Sequence, residues 1–261
     1  FSQVNYLAGI KHGVLTYGTR IGPSDYIGFH LFYLDSGPME VTTERYPDGT
    51  GEDFHVISMA ARATYARSLT DRLKIGGSIN YIRDKIAETG MQAVSYDIGS
   101  NFNTGIYGTI LGMSITNFGP EVEYAGEDLS VQVPDTIDVE ESLERITNEF
   151  PLPLIFRLGI ENELVGPNSS FMKNDQHRLI LSMDGIKPSD YIVFGSVGIE
   201  YGWQKLAFVR MGTHLGHDTA GLSAGLGLNV RLGKMALSVD FAFVDYDVLK
   251  NTNQLAIGLE F

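Results

Sequence analysis

Side chains that alternate in character over runs of ten residues and more constrain this chain more than any other feature. From Lys234 to Tyr246, Met235, Leu237, Val239, Phe241 and Phe243 fall at one parity, and Ala236, Ser238, Asp240 and Ala242 at the other. Successive side chains of an extended strand point to opposite faces, so such a run has one greasy face and one small or polar face. The pattern recurs through 221–231, 94–103 and 73–81. In the last segment Leu255, Ile257, Leu259 and Phe261 oppose Ala256, Gly258 and Glu260. Thirteen strands are predicted: 4–17, 24–34, 54–68, 72–86, 92–103, 107–117, 154–163, 174–184, 191–201, 205–212, 219–231, 234–246 and 252–261.

Length decides what these strands build. Strands of globular proteins average about 5–6 residues, whereas a strand crossing a bilayer needs about 9–11. Many of the predicted strands reach the second figure. The expected fold is therefore all-β, an antiparallel transmembrane β-barrel forming a single domain over 1–261. No apolar run approaches the roughly 18–20 residues of a spanning helix. The connections alternate as well. Tight ones at 69–71, 105–106, 202–204 and 232–233 contrast with long ones at 35–53, 118–153 and 213–218. Short periplasmic turns and long outer loops are the habit of bacterial barrels. Two connections break the rule: 164–173 is long on the tight side, and 87–91 is short on the other.

Strand parity adds an expectation. Single-chain bacterial barrels have an even number of strands, so thirteen predicts a fourteenth, placed before the first residue and lost together with a signal peptide. The phase of the connections puts the C-terminus on the short-turn side. There the terminal Phe261, after its alternating strand, resembles the signal by which outer-membrane barrels are recognised during assembly. Tyr65, Tyr81, Tyr107, Tyr191, Tyr201 and Trp203, near strand ends, fit aromatic girdles at the two interfaces as well as ordinary strand positions.

Composition excludes more than it identifies. The net charge of −13 argues against a nucleic-acid partner. With no cysteine there is no thiol nucleophile or thiolate metal site. His214 and His217-Asp218 read better as a polar turn than as a metal site. Asp48–Asp53 is oxygen-rich but lacks the distal glutamate of a calcium-binding loop. The glycines of 221–227 fall on one strand face with no helix after them, unlike a dinucleotide loop. No nucleophile–base arrangement is visible, so neither enzymatic activity nor a cofactor is expected.

The charges of the inward parity are Lys11, Arg62, Lys74, Asp97, Arg157, Glu161, Arg178, Asp184, Glu200, Arg231, Asp240 and Glu260. Charges inside a membrane must face a lumen or each other. A structural network of paired charges is the plainer reading, and a conduction or binding path the sharper one. An open diffusion pore fits less well, since such pores use about 16–18 strands. The segment 118–153 carries an acidic run. Within it Asp138 is placed to cap a short helix with Val139, Leu143, Ile146 and Phe150 near one face. That helix serves either as a solvated element packed on the barrel rim or as a lid and partner-docking element.

Several stretches resemble the PorV/PorQ family of outer-membrane proteins, barrels of FadL-like fold. They are 65–77 (YARSLTDRLKIGG), 114–119 (SITNFG), 153–159 (PLIFRLG), 197–201 (VGIEY), 221–227 (GLSAGLG) and the terminal 259–261 (LEF). The resemblance covers the whole chain in short, structural pieces. It implies fourteen strands, an outer-membrane location with lipid around the wall, and an N-terminal hatch, often with an Asn-Pro-Ala motif, that plugs the lumen. No Asn-Pro-Ala occurs here, in keeping with a missing N-terminal segment. Two functions follow from the resemblance. One is a non-enzymatic part in type IX secretion, with secreted proteins or other secretion components as partners. The alternative is a FadL-like channel for hydrophobic small molecules.

Overall fold

The computed structural model describes residues 1–132, 142–144, 147–216, 221–247 and 250–261. Fourteen antiparallel strands form the wall. The first seven are β1 (Ser2–Asn5), β2 (Lys11–Arg20), β3 (Asp25–Asp35), β4 (Val56–Ser68), β5 (Leu73–Ile86), β6 (Thr89–Asn103) and β7 (Thr109–Phe118). The rest are β8 (Ile155–Val165), β9 (His177–Pro188), β10 (Phe194–Trp203), β11 (Ala207–Leu215), β12 (Leu222–Leu232), β13 (Met235–Asp245) and β14 (Asn251–Glu260). Each pairs with its neighbours in the chain, and β14 returns to β1 with Ser2 opposite Ala256 and Asn5 opposite Asn253. A closed meander leaves no sheet edge among its wall strands, which is what a barrel in lipid requires.

The count of fourteen stands, but the fourteenth strand lies within the chain. The segment expected as a single strand over 4–17 is two. A turn at Leu7–Gly9 separates β1 from β2, with Gly9 at φ 82° and the Tyr6 amide donating to the Ile10 carbonyl. The unbroken apolar run Tyr6-Leu7-Ala8 hides the turn in a reading based on polarity.

The two faces separate as the alternation requires. Leu15, Tyr17, Phe29, Leu31, Ile79, Ile98, Leu226 and Leu228 are exposed around the outside. A water-facing surface rarely carries such a continuous apolar band, whereas hydrocarbon accepts it. Strands of about eleven residues, rising about 3.3 Å each and tilted about 45°, span roughly 25 Å, the height of a membrane belt. Tyr65, Tyr201 and Trp203 are exposed on the outer face near the short turns, and Tyr33, Tyr81 and Tyr96 lie closer to the long loops.

Among the described residues one hydrophobic cluster is buried, at the long-loop end. Met91 and Ala93, on the inner face of β6, pack with Val122 and Leu152, and Ile82, Tyr124 and Phe150 lean on them. The connection after β7 therefore turns back over the barrel mouth. Its residues Ala125 and Gly126 pair with Gly90 and Thr89 of β6, and Glu121–Val122 pairs with Phe150–Pro151. The turn-back starts at a break in the β6–β7 register between Tyr96 and Ile98. Asn117 there adopts φ 62°, and the Asp97 carboxylate accepts its backbone N–H at 2.9 Å.

Candidate functional site: the lumen and its mouth

The inner face is built largely from glycine, serine and alanine, so long charged side chains can lie flat along the wall. Across β8 to β11 and on to β13 they form a ladder. Arg178 on β9 donates to Glu163 on β8 at 3.0 Å and faces Glu200 on β10 at 3.8 Å. Arg210 on β11 donates to Glu200 at 2.7 Å and, across β12, to Asp240 on β13 at 2.6 Å. Glycine makes the crossing possible. A Cβ at Gly227 would sit 2.5 Å from the Asp240 carboxylate and 3.0 Å from the Arg210 guanidinium. The ladder borders a cavity of about 740 Å³ that also meets Glu161, Ser196 and His214.

A second group occupies the opposite wall. Arg62 on β4 pairs with Asp97 on β6 at 3.2 Å and donates to the Asn80 side chain at 2.6 Å, and Asn80 donates to Ser95 at 3.1 Å. Asp97 is thus shared between a lumen cation and the bulge that redirects the chain after β7. A cavity of about 260 Å³ lies here, between His30, Phe32, Arg62, Asn80 and Asp84.

Of the twelve charges assigned to the lumen from the sequence, the structure joins Arg62 with Asp97, and Arg178, Glu200 and Asp240 in the ladder. Glu161 borders the larger cavity, and Asp184 lies over Gly159 on the inner face. Lys74, Arg157, Arg231 and Glu260 have the inward parity but are exposed, with no ion pair among the described residues. Lys11 is a correction. It pairs with Asp35 in the register that sets Gly13 opposite Tyr33 and Leu15 opposite Leu31, so it belongs to the outward face. Sequence reasoning missed Glu163 and Arg210. Both were accessible to it: Glu163 shares the parity of Glu161, and Arg210 that of Gly212 and Phe208.

The helix expected around Asp138 does not extend to Leu143. Ser142–Glu144 instead pairs as a short ribbon with Ser130–Gln132. A short isolated helix is marginal in water, and the β-branched Val131 opposite Leu143 favours an extended chain. Asp138, Val139 and Ile146 lie outside the described residues, as do His217 and Asp218. Phe150 is anchored, its ring stacked on Tyr124 at 5.8 Å. Burial and the neighbouring Asp84 carboxylate push the Tyr124 phenol above its ordinary pKa.

Aromatic rings gather where the lumen meets the long loops. Tyr246, Tyr6, His12 and Phe32 form a chain with centroids 6.3, 6.0 and 5.6 Å apart. On another arc Tyr191 and His214 flank Phe194 at 6.2 and 6.0 Å. The mouth is therefore greasier than the lumen below it, an arrangement able to hold an apolar molecule against rings before it meets the charges.

No protein-family model and no curated protein matches the sequence. Solved structures do resemble the fold. The Pseudomonas putida toluene transporter TodX superposes with a TM-score of 0.55 at 12% identity, over 99% of this chain and 85% of that one. The Ralstonia pickettii toluene transporter TbuX gives 0.55 at 11% identity over 99% and 85%. A Pseudomonas aeruginosa FadL homologue gives 0.54 at 10% identity over 96% and 77%. At such identities the likeness concerns the fold, a FadL-like barrel, and these three neighbours carry no PorV/PorQ name.

Proposed function

We propose that this chain is an outer-membrane channel that admits hydrophobic small molecules, with lipid around its wall. The observation that carries this reading is the double arc of aromatic rings at the mouth, above a lumen in which Arg62, Arg178 and Arg210 are paired with carboxylates along the wall. Apolar contacts gather a solute from dilute solution, and a wall of glycine and serine leaves it room to move on. The FadL-like fold shared with two toluene transporters supports the same reading. Type IX secretion, the reading that the PorV/PorQ resemblance suggested first, has no feature of the mouth or lumen in its favour among the described residues.

The test is mass spectrometry of the full-length protein purified gently from its own outer membrane, joined to toluene uptake by cells carrying it. Apolar small molecules should co-purify, and Phe32→Ala with Tyr246→Ala should slow uptake several-fold at unchanged protein level. A co-purifying secreted protein at the outer loops, with no apolar ligand and no effect of the two substitutions, would replace uptake with secretion.

A further inference from the structure

The uptake reading leaves open the charge of the solute, and this inference rests on that reading: we infer that the path takes neutral and cationic apolar molecules and turns anionic ones away. The chain separates charge along the barrel axis. Among the described residues, the long-loop segment 36–55 contains five carboxylates and one arginine, and 119–132, 142–144 and 147–153 together contain six carboxylates and no basic residue. The short connections 69–72, 166–176, 204–206 and 233–234 contain four basic residues and two acidic ones. The mouth is thus strongly negative and the opposite end mildly positive.

The folded loops hold part of this charge at the rim. Glu40 and Asp53 face each other across a short ribbon, and the Asp128 carboxylate accepts the Glu88 N–H at 2.7 Å. They act through their common field and not as ligands of one ion. Clefts with low-dielectric walls focus such fields to several kT and concentrate solutes of opposite sign.

Two independent features point the same way. In the ladder, Glu163, Glu200 and Asp240 share only two arginines, and Glu161 and Asp184 have no ion pair among the described residues. The exposed Arg157 offsets one of these five carboxylates. At the mouth, the rings of Tyr6, Tyr246 and Phe32 present faces that attract cations. A carboxylate solute would therefore meet repulsion both on arrival and again beside the ladder.

Three molecules sharing one ring test this: benzylamine, benzyl alcohol and benzoate. Their binding to the full-length protein in nanodiscs of zwitterionic lipid can be followed by ligand-observed NMR at low and high salt. Benzoate should bind at least about tenfold more weakly than benzyl alcohol at low salt, and the gap should narrow to about threefold or less near 1 M salt, where screening acts within about 3 Å. Joint replacement of exposed rim carboxylates, Glu40→Gln with Glu52→Gln and Asp53→Asn, should narrow the low-salt gap without affecting benzyl alcohol. Benzoate binding as well as benzyl alcohol at low salt overturns the inference and leaves uptake standing. Binding of none of the three overturns uptake, and this inference with it.

Discussion

Removing Arg210 tests whether the ladder holds the barrel together. Its guanidinium donates to Glu200 at 2.7 Å and to Asp240 at 2.6 Å, linking two strands that are not neighbours. A hydrogen bond to a charged group contributes about 1.5–3 kcal/mol when sheltered, and an exposed ion pair only about 0.2–1 kcal/mol. The three side chains are between these limits, 41%, 23% and 37% exposed to the lumen. About 1 kcal/mol per contact is therefore appropriate, or about 2 kcal/mol in all. Arg210→Gln also leaves Glu163, Glu200 and Asp240 with Arg178 alone, which adds repulsion of the same sign. For a protein of this size 1 kcal/mol corresponds to about 2–4 °C, so Arg210→Gln should melt about 4–8 °C lower. The assay is the heat-dependent shift of the barrel in gel mobility. The partner change Asp240→Asn, made in both backgrounds, should reveal a coupling of about 0.5–1.5 kcal/mol. Unchanged melting of Arg210→Gln, or strictly additive losses, would refute the view that these contacts stabilise the wall.

Two further substitutions address the loop over the mouth. Asp97→Ala leaves the Asn117 N–H without its acceptor and Arg62 with only its bond to Asn80, and should cost about 2 kcal/mol in the same melting assay. Asp97→Asn, which can still accept from Asn117, should lose roughly half as much. At Gly126 a Cβ would fall well inside contact distance of the Glu88 carbonyl and 2.6 Å from the Thr89 Cα, both backbone atoms that cannot move aside. Gly126→Ala should therefore release the loop edge from β6, so that a glutamate-specific protease cuts at Glu123 several-fold faster while the melting temperature of the barrel stays within about 2 °C.

Alternation made most of this fold legible, because in a barrel the face of a residue is set by strand parity and strands are joined in chain order. The lumen residues Arg62, Asp97, Arg178, Glu200 and Asp240 were found that way. Parity fails where strands end. Tyr6-Leu7-Ala8 is apolar throughout, so the turn before β2 left no trace in polarity and Lys11 was assigned to the wrong face. It also says nothing of pairing: Arg210 reaches Asp240 because Gly227 on the strand between them carries no side chain. The segment after β7 has no period to read. Its anchors, Val122, Phe150 and Leu152, are short apolar islands whose partners Met91 and Ala93 are some thirty to sixty residues away.

The glycines of the inner face link the stability of the wall to the width of the lumen. Asp184 lies over Gly159, the Phe208 ring over Gly202, and the Arg210–Asp240 bond over Gly227. Each glycine lets its large neighbour lie along the wall, and at Gly227 the two neighbours are charges that pair with each other. A side chain at any of these positions would push the neighbour aside, and at Gly227 it would break the ion pair as well. Gly227 is the position where both effects coincide, since the same two atoms that a Cβ would displace are those that join β11 to β13. A fourteen-strand barrel is narrower than an open diffusion pore, so it has little width to lose. The small residues of the inner face are thus what allow the charged side chains to lie along the wall and pair across strands.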